Sequence, residues 1–336
     1  MPEEDITRPG EPAELFELFT PRAFLRGGHA QTLAAALLPR RYSLPPAEAR
    51  LFRVAEDVQV LCHCHWRAER RQAATLVLLH GLEGSSAAQY VVGTADKAWA
   101  AGMNVVRMNM RNCGGSEKLG PTLYHSGLSG DLGAVVQELI AQDKLPRIFL
   151  AGFSMGGNIT LKLAGEWGGE APPEVRGVAA VSPAIDLAAC AQALHRPGNR
   201  LYEWNFLWGL KRRLRRKSQL FPGRYETRGL ARLDSVRDFD DQVTARYCGF
   251  AGADDYYARA SASPVVERIA RPTLILHSQD DPFVPLTAET RAKLLGNAHI
   301  RLIETGGGGH CAFLAAANGY DGRWAERRLV GFFSGV

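Results

Sequence analysis

Short apolar runs alternate with amphipathic stretches along most of the chain. "ATLVLLHG" (74–81), "MNVVRMNM" (103–110), "RIFLAGF" (147–153), "VRGVAAVSP" (175–183), "PTLILHSQD" (272–280) and "HIRLIET" (299–305) read as buried strands. Helical patterns fall between or after them. They are "SAAQYVVGTADKAWAAG" (86–102, closed by Gly102), "GLSGDLGAVVQELIAQD" (127–143), "MGGNITLKLAGEWG" (155–168), "PLTAETRAKLLG" (285–296) and "RWAERRLVGFF" (323–333). Strands spaced by single helices imply right-handed crossovers and a mostly parallel sheet with helices on both faces. Ahead of them, residues 50–66 contain "VQVLCHCHW", whose alternation predicts an outer antiparallel strand. The alternation stops between 186 and 262, a stretch rich in arginine with no clear strand, and then resumes. This predicts a helical insertion that caps the sheet. The expected organisation is an N-terminal arm at 1–50, a core at 51–185 and 263–336, and the cap at 186–262.

One strand-to-helix junction carries chemistry. In "FLAGFSMGGN" (149–158) an apolar run stops at Gly152, and Ser154 stands between Gly152 and Gly156 before a helical pattern. This fits the G-x-S-x-G turn that lifts a nucleophile out of a sheet. Residues without a Cβ relieve the crowding of so sharp a turn. The helix N-terminus then points its partial positive charge at the reaction site. A serine needs an adjacent base, and in such sheets the order is serine, acid, histidine. "LILHSQDDPFVP" supplies Asp280 and Asp281 at a strand end, and "ETGGGGHCAF" supplies His310 after the last strand. Acyl transfer also needs oxyanion donors. The backbone N–H groups of Met155 and of Leu82, in "LLHGLEGSS", are the candidates. His80 is expected to orient that loop.

Composition excludes little. The 336 residues are 46% hydrophobic and 22% charged, ordinary for a globular protein with a sizeable core. A net charge of +5 is too small to imply nucleic acid. The acidic, proline-bearing start lacks a secretory pattern, and no run approaches the ~18 apolar residues of a spanning helix. The expectation is a soluble, cytoplasmic protein. Six cysteines in so long a chain do not suggest a disulfide framework.

These motifs resemble the α/β-hydrolases, and among them the YheT-like family, related to the ABHD lipases and esterases. "GGHAQTL" (27–33) resembles that branch's N-terminal signature. "LLHGLEGSS", "MNMRNCGGSE", "AGFSMGGN", "DDPFVP" and "GGGGHCAF" resemble its later motifs. The resemblance implies the α/β-hydrolase fold. It implies carboxylic-ester hydrolysis by Ser154, Asp281 and His310, on short-chain, medium-chain or glycerolipid esters. Asp-Pro-Phe-Val-Pro favours Asp281, with Asp280 as the alternative acid. His29 and Gln31 belong to the signature without an assigned role. Asn112 departs from the glycine that many hydrolases have after the arginine. The same triad would serve an acyltransferase or thioesterase, and the fold could also bind a lipid or other ligand without catalysis.

Other features read more plainly. On a strand, Cys62 and Cys64 face one way and His63 and His65 the other, so "CHCH" is not expected to hold a metal. "GGGG" (306–309) lacks the Lys-Ser/Thr of a phosphate loop, and Cys311 reads as a packing residue. No cofactor is expected; the partner is a small acyl ester. "WNFLWGLKRRLRRK" (204–217) reads as a cap helix packed through Trp204, Leu207, Leu210 and Leu214, with a solvated basic face. Weak docking on an anionic membrane is the alternative. Trp204 and Trp208 are the candidate pocket residues of the cap. His125, His195, His277 and His299 read as structural or exposed.

Overall fold

The computed structural model describes residues 18–336. The expected arm at 1–50 therefore lies partly outside the described residues. The arm's helix α1 (Gly28–Leu37) precedes the hairpin β1 (Glu48–Ala55) and β2 (Val58–His65). Then come β3 (Thr75–Leu79), α2 (Gln89–Ala100), β4 (Asn104–Met108), α3 (Ser129–Ala141), β5 (Ile148–Phe153), α4 (Met155–Trp167) and β6 (Val175–Val181). The segment before the next strand is helical: α5 (Leu187–Leu194), α6 (Arg200–Leu220), α7 (Val236–Phe239), a π-helical stretch at Asp240–Ala245, α8 (Arg246–Cys248) and α9 (Ala253–Ala260). β7 (Thr273–Ser278), α10 (Ala288–Gly296), β8 (Ile300–Thr305) and α11 (Trp324–Ser334) complete the chain.

The eight strands form one sheet in the order β1-β2-β4-β3-β5-β6-β7-β8. β1 and β2 are antiparallel at one edge, and β3 to β8 are parallel. Sequence pattern found β2 but not β1. Five of the eight residues of β1 are exposed, so its alternation is weak. The central strands β3 and β5 are buried throughout, as a sheet covered on both faces requires.

Register decides where the site forms. Leu79 pairs with Gly152, Phe153 with Val181, Leu276 with Val181, and Ser278 with Thr305. The carboxyl ends of β3, β5, β6, β7 and β8 thus finish along one rim, and the loops after them converge. One core cluster joins that sheet face to α3, α4 and the helical insertion, through Leu207, Leu210 and Leu214 of α6. A second covers the other face with α2 and α11.

The arm belongs to this second layer. Phe19 sets its ring edge-on to Phe313 and Trp324, at 5.7 and 5.5 Å. Arg40 makes a two-pronged pair with Glu326 of α11, both bonds 2.6 Å, and both side chains are less than a tenth exposed. Removing one partner of such a pair strands a buried charge. Glu326→Ala is expected to lower unfolding free energy by about 3 kcal/mol in urea titration. A loss under about 1 kcal/mol would mean that the ring packing alone holds the arm.

Candidate active site

Ser154 follows the last residue of β5 with φ 53° and ψ −119°. A side chain rarely adopts this backbone, at a cost on the order of 1–3 kcal/mol. The surroundings hold it there. Its N–H donates to the Val181 carbonyl at 3.0 Å, and its carbonyl accepts from Asn158 at 3.0 Å and Ala184 at 3.2 Å. A Cβ at Gly152 would collide with the Gly156 carbonyl, and one at Gly156 with the carbonyl oxygens of Leu79 and His80. Both glycines are therefore required by close approach of β3, β5 and α4.

The loop after β3 comes up beside the serine, with Gly81 so near that a Cβ there would lie 3.1 Å from that of Ser154. His80 anchors it. Its Nδ1 bonds the Gly81 carbonyl at 2.8 Å, and its Nε2 accepts from the Met110 N–H at 3.1 Å. A backbone N–H can only donate, so the proton of His80 sits on Nδ1. Burial pushes this histidine down to about 4, and it stays neutral. Neither the Leu82 N–H nor the Met155 N–H has a protein acceptor among the described residues.

The two aspartates divide their contacts. Asp281 Oδ2 bonds His310 Nδ1 at 2.8 Å, while Oδ1 accepts from the N–H groups of Phe283 and Val284 at 3.1 and 2.9 Å. Asp280 instead accepts from the Gly309 N–H at 2.8 Å and from the Ser278 hydroxyl. It ties the two loops together and does not touch the imidazole. Burial disfavours charge on His310, but the Asp281 carboxylate and secondarily Cys311 outweigh it and raise its pKa to about 10. His310 Nε2 lies 3.8 Å from Cys311 Sγ. It makes no hydrogen bond to the Ser154 hydroxyl. Cys311 is thus an immediate neighbour of the imidazole rather than a packing residue alone.

A cavity of about 110 Å³ opens onto Ser154. Leu82, Met155, Leu187, Phe206, Leu210 and Phe283 make much of its apolar wall. The expected pocket residues Trp204 and Trp208 are not there. They are 66% and 49% exposed, turned to solvent on the flank of α6. Phe206 and Leu210 take their place because Leu207, Leu210 and Leu214 set the inward face. The basic run is not uniformly solvated either. Lys211 bonds the Leu233 carbonyl at 2.6 Å, Arg213 bonds Glu83 at 2.9 Å, and Lys217 donates to the carbonyls of Glu117 and Gly120. Arg212, Arg215 and Arg216 remain exposed.

A family profile described as alpha/beta hydrolase fold matches residues 74–317. "Putative esterase YheT" of Escherichia coli (strain K12) is 32% identical over 93% of this chain and 91% of its own length. "Phospholipase ABHD3" of Homo sapiens is 28% identical over 89% of this chain and 74% of its own. Among solved structures, an esterase of Pyrococcus furiosus aligns with a TM-score of 0.56 at 18% identity, over 88% of this chain and 98% of that one. The last likeness concerns the fold alone. The chain is an α/β-hydrolase of the YheT-like family.

The N-terminal signature of this hydrolase has a structural explanation that spacing could not supply. Gln31 is fully buried. Its Oε1 accepts from the Leu314 N–H at 2.7 Å, and its Nε2 donates to the Leu314 carbonyl at 3.1 Å and to that of Leu25. Thr32 Oγ1 accepts from the His310 N–H at 2.9 Å. His29 stacks on Tyr202 at 5.7 Å, Tyr202 packs on Phe283, and Phe283 lies 4.3 Å from the His310 ring. The arm thus grips the histidine loop from outside. Asn112 sits at φ 64°, a backbone that glycine or asparagine accepts, which explains the exchange at that position. Gln31→Leu leaves the Leu314 amide unpaired in the interior. It is expected to cost about 2 kcal/mol and to speed amide exchange at 308–314 selectively. Unchanged exchange there would show that the loop is held without the arm.

Proposed function

We propose that this hydrolase cleaves carboxylic esters through an acyl-enzyme. Ser154 is the nucleophile, His310 the general base and acid, and Asp281 the group that orients and stabilises the imidazole. The observation that carries the reading is convergence. The strained Ser154 lines one apolar cavity with Leu82 and Met155, whose N–H groups are unengaged, and Phe283 of the same wall packs at 4.3 Å on the His310 ring that Asp281 bonds. In the first step His310 takes the Ser154 proton as Oγ attacks the ester carbonyl carbon. The Leu82 and Met155 N–H groups receive the oxyanion. Collapse expels the alcohol, which leaves with the proton from His310. Water then attacks the acyl-enzyme by the same route, releasing the acid and restoring Ser154. Short- to medium-chain acyl esters and glycerolipid esters are the substrate range of this reading, and no cofactor enters it.

Ser154→Ala is expected to lower kcat on p-nitrophenyl esters by about 10³-fold or more with little change in KM. Retained turnover would remove Ser154 from the chemistry. The Asp281→Asn variant should lose activity far more than Asp280→Asn, whose loss reports loop geometry.

The pH profile gives a second test. The imidazole must be unprotonated to act as base, so kcat/KM falls as pH drops through the pKa of His310. Because that pKa is raised, the limb is expected on the alkaline side of the ordinary value of 6.5. Cys311→Ala should move the limb down, because the thiol adds to the upward push. A limb at or below 6.5 in the unmodified protein would contradict this electrostatic picture.

A further inference from the structure

Two groups on the cavity wall retain hydrogen-bonding capacity that the protein leaves unused. The first is Asp240, the only carboxylate among the described residues lining the cavity. It opens the π-helical stretch Asp240–Ala245, a wide turn of the kind that recurs at functional sites. Its Oδ1 accepts from the Thr244 hydroxyl at 2.8 Å and its Oδ2 from the Tyr257 hydroxyl at 2.9 Å. Each carboxylate oxygen can accept a second bond. Arg237, the nearby cation, is spent on Asp254 through two bonds of 2.9 Å.

The second group is His125, which has structural contacts and also lines the cavity. Its Nδ1 accepts from the Gly127 backbone N–H at 3.1 Å. A neutral imidazole whose Nδ1 accepts must carry its proton on Nε2. Burial pushes the ring down to about 4, so it is neutral near pH 7. The rings of Phe250 and Tyr256 hold it edge-on at 5.2 and 6.0 Å. The Nε2–H has no acceptor among the described residues.

A purely alkyl arm filling this cavity would strip water from both groups and return nothing to them. Burial already pushes the Asp240 carboxyl up to about 7, and a carboxylate arm would add a second acid to the same dry wall while offering no donor. An ammonium arm would suit Asp240 but not the N–H of His125. A hydroxyl both donates and accepts. We propose that the cavity takes an ester arm that carries a hydroxyl, with Asp240 as the acceptor and His125 Nε2–H as the donor that recognise it. This inference rests on the esterase reading and names the substrate class of the same site.

The test compares p-nitrophenyl esters of medium-length acids with and without a terminal hydroxyl, and glyceryl with plain propyl esters of one acid. The first pair places the hydroxyl on the acyl arm, the second on the alcohol arm. The readout is the ratio of kcat/KM within each pair, which cancels any loss of folded enzyme. The unmodified protein is expected to favour the hydroxylated member of one pair by about tenfold or more. Asp240→Asn and His125→Phe should each shrink that ratio severalfold, while Val236→Ala, a change in the apolar wall, should preserve it. Ser154-dependent turnover with a ratio near one in both pairs would overturn the hydroxyl site and leave the esterase reading standing. A preference that survives both Asp240→Asn and His125→Phe would overturn it as well. Absence of Ser154-dependent turnover on all four esters would overturn both.

Discussion

Everything in the site depends on how closely three pieces of backbone approach at the end of β5. The chain must leave the strand, turn sharply upward at Ser154 and enter α4 without separating from β3. Gly152 and Gly156 permit it, because a Cβ on either would occupy a neighbour's carbonyl oxygen. The strain at Ser154 is the consequence, and bonds from Val181, Asn158 and Ala184 hold it. The same turn leaves the Met155 N–H at the first position of the helix, where no intrahelical acceptor exists. One constraint therefore brings a serine of the cavity wall, a free donor and the positive end of a helix to a single point.

The remaining groups reach that point by longer routes, and each is held by more than its own loop. The loop bearing Leu82 is fixed from below by His80 and from above by Glu83. Glu83 accepts from the Tyr124 hydroxyl at 2.6 Å and from Arg213 of α6. Gly209 of α6 lets that carboxylate approach the helix, since a Cβ there would lie 2.5 Å from it. Movement of α6 would pull on the segment that carries the donor. The histidine loop is likewise gripped by Asp280 on one side and by Gln31 and Thr32 on the other. The insertion and the arm are thus parts of the site's geometry, one covering the cavity and the other bracing the His310 loop.

What was legible in the sequence follows from this division. Ser154, Met155 and the flanking glycines stand within a few residues of one another, and the physics of the turn is local. That Asp281 and His310 meet was legible through topology, because parallel strands must end on one rim. The choice between Asp280 and Asp281 was not local, since both leave the same strand end and only the loop's path decides which meets the imidazole. The bracing by Gln31 was out of reach, because it acts across 283 positions of chain. α6 misled for another reason. It carries two apolar stripes, Leu201–Trp204–Trp208 and Leu207–Leu210–Leu214, each at helical spacing. Hydrophobicity favours neither. The inward face is the one whose neighbours, Arg213 and Lys217, find buried partners, and those partners lie about 100 positions or more away.

His310 shows why charge in this site has to be read from the assembled structure. Burial by itself would keep the imidazole neutral, as it does at His80 and His125. The difference is a carboxylate 2.8 Å from Nδ1 that is itself buried and bonded by two N–H groups. Those two donors fix the Asp281 carboxylate against the ring, so it acts on the imidazole at short range and with little screening. These three histidines therefore divide into two neutral ones that hold a loop or line a cavity and one that is inclined to take a proton. The division comes from the partner at one nitrogen, and that partner is fixed by where two parallel strands end.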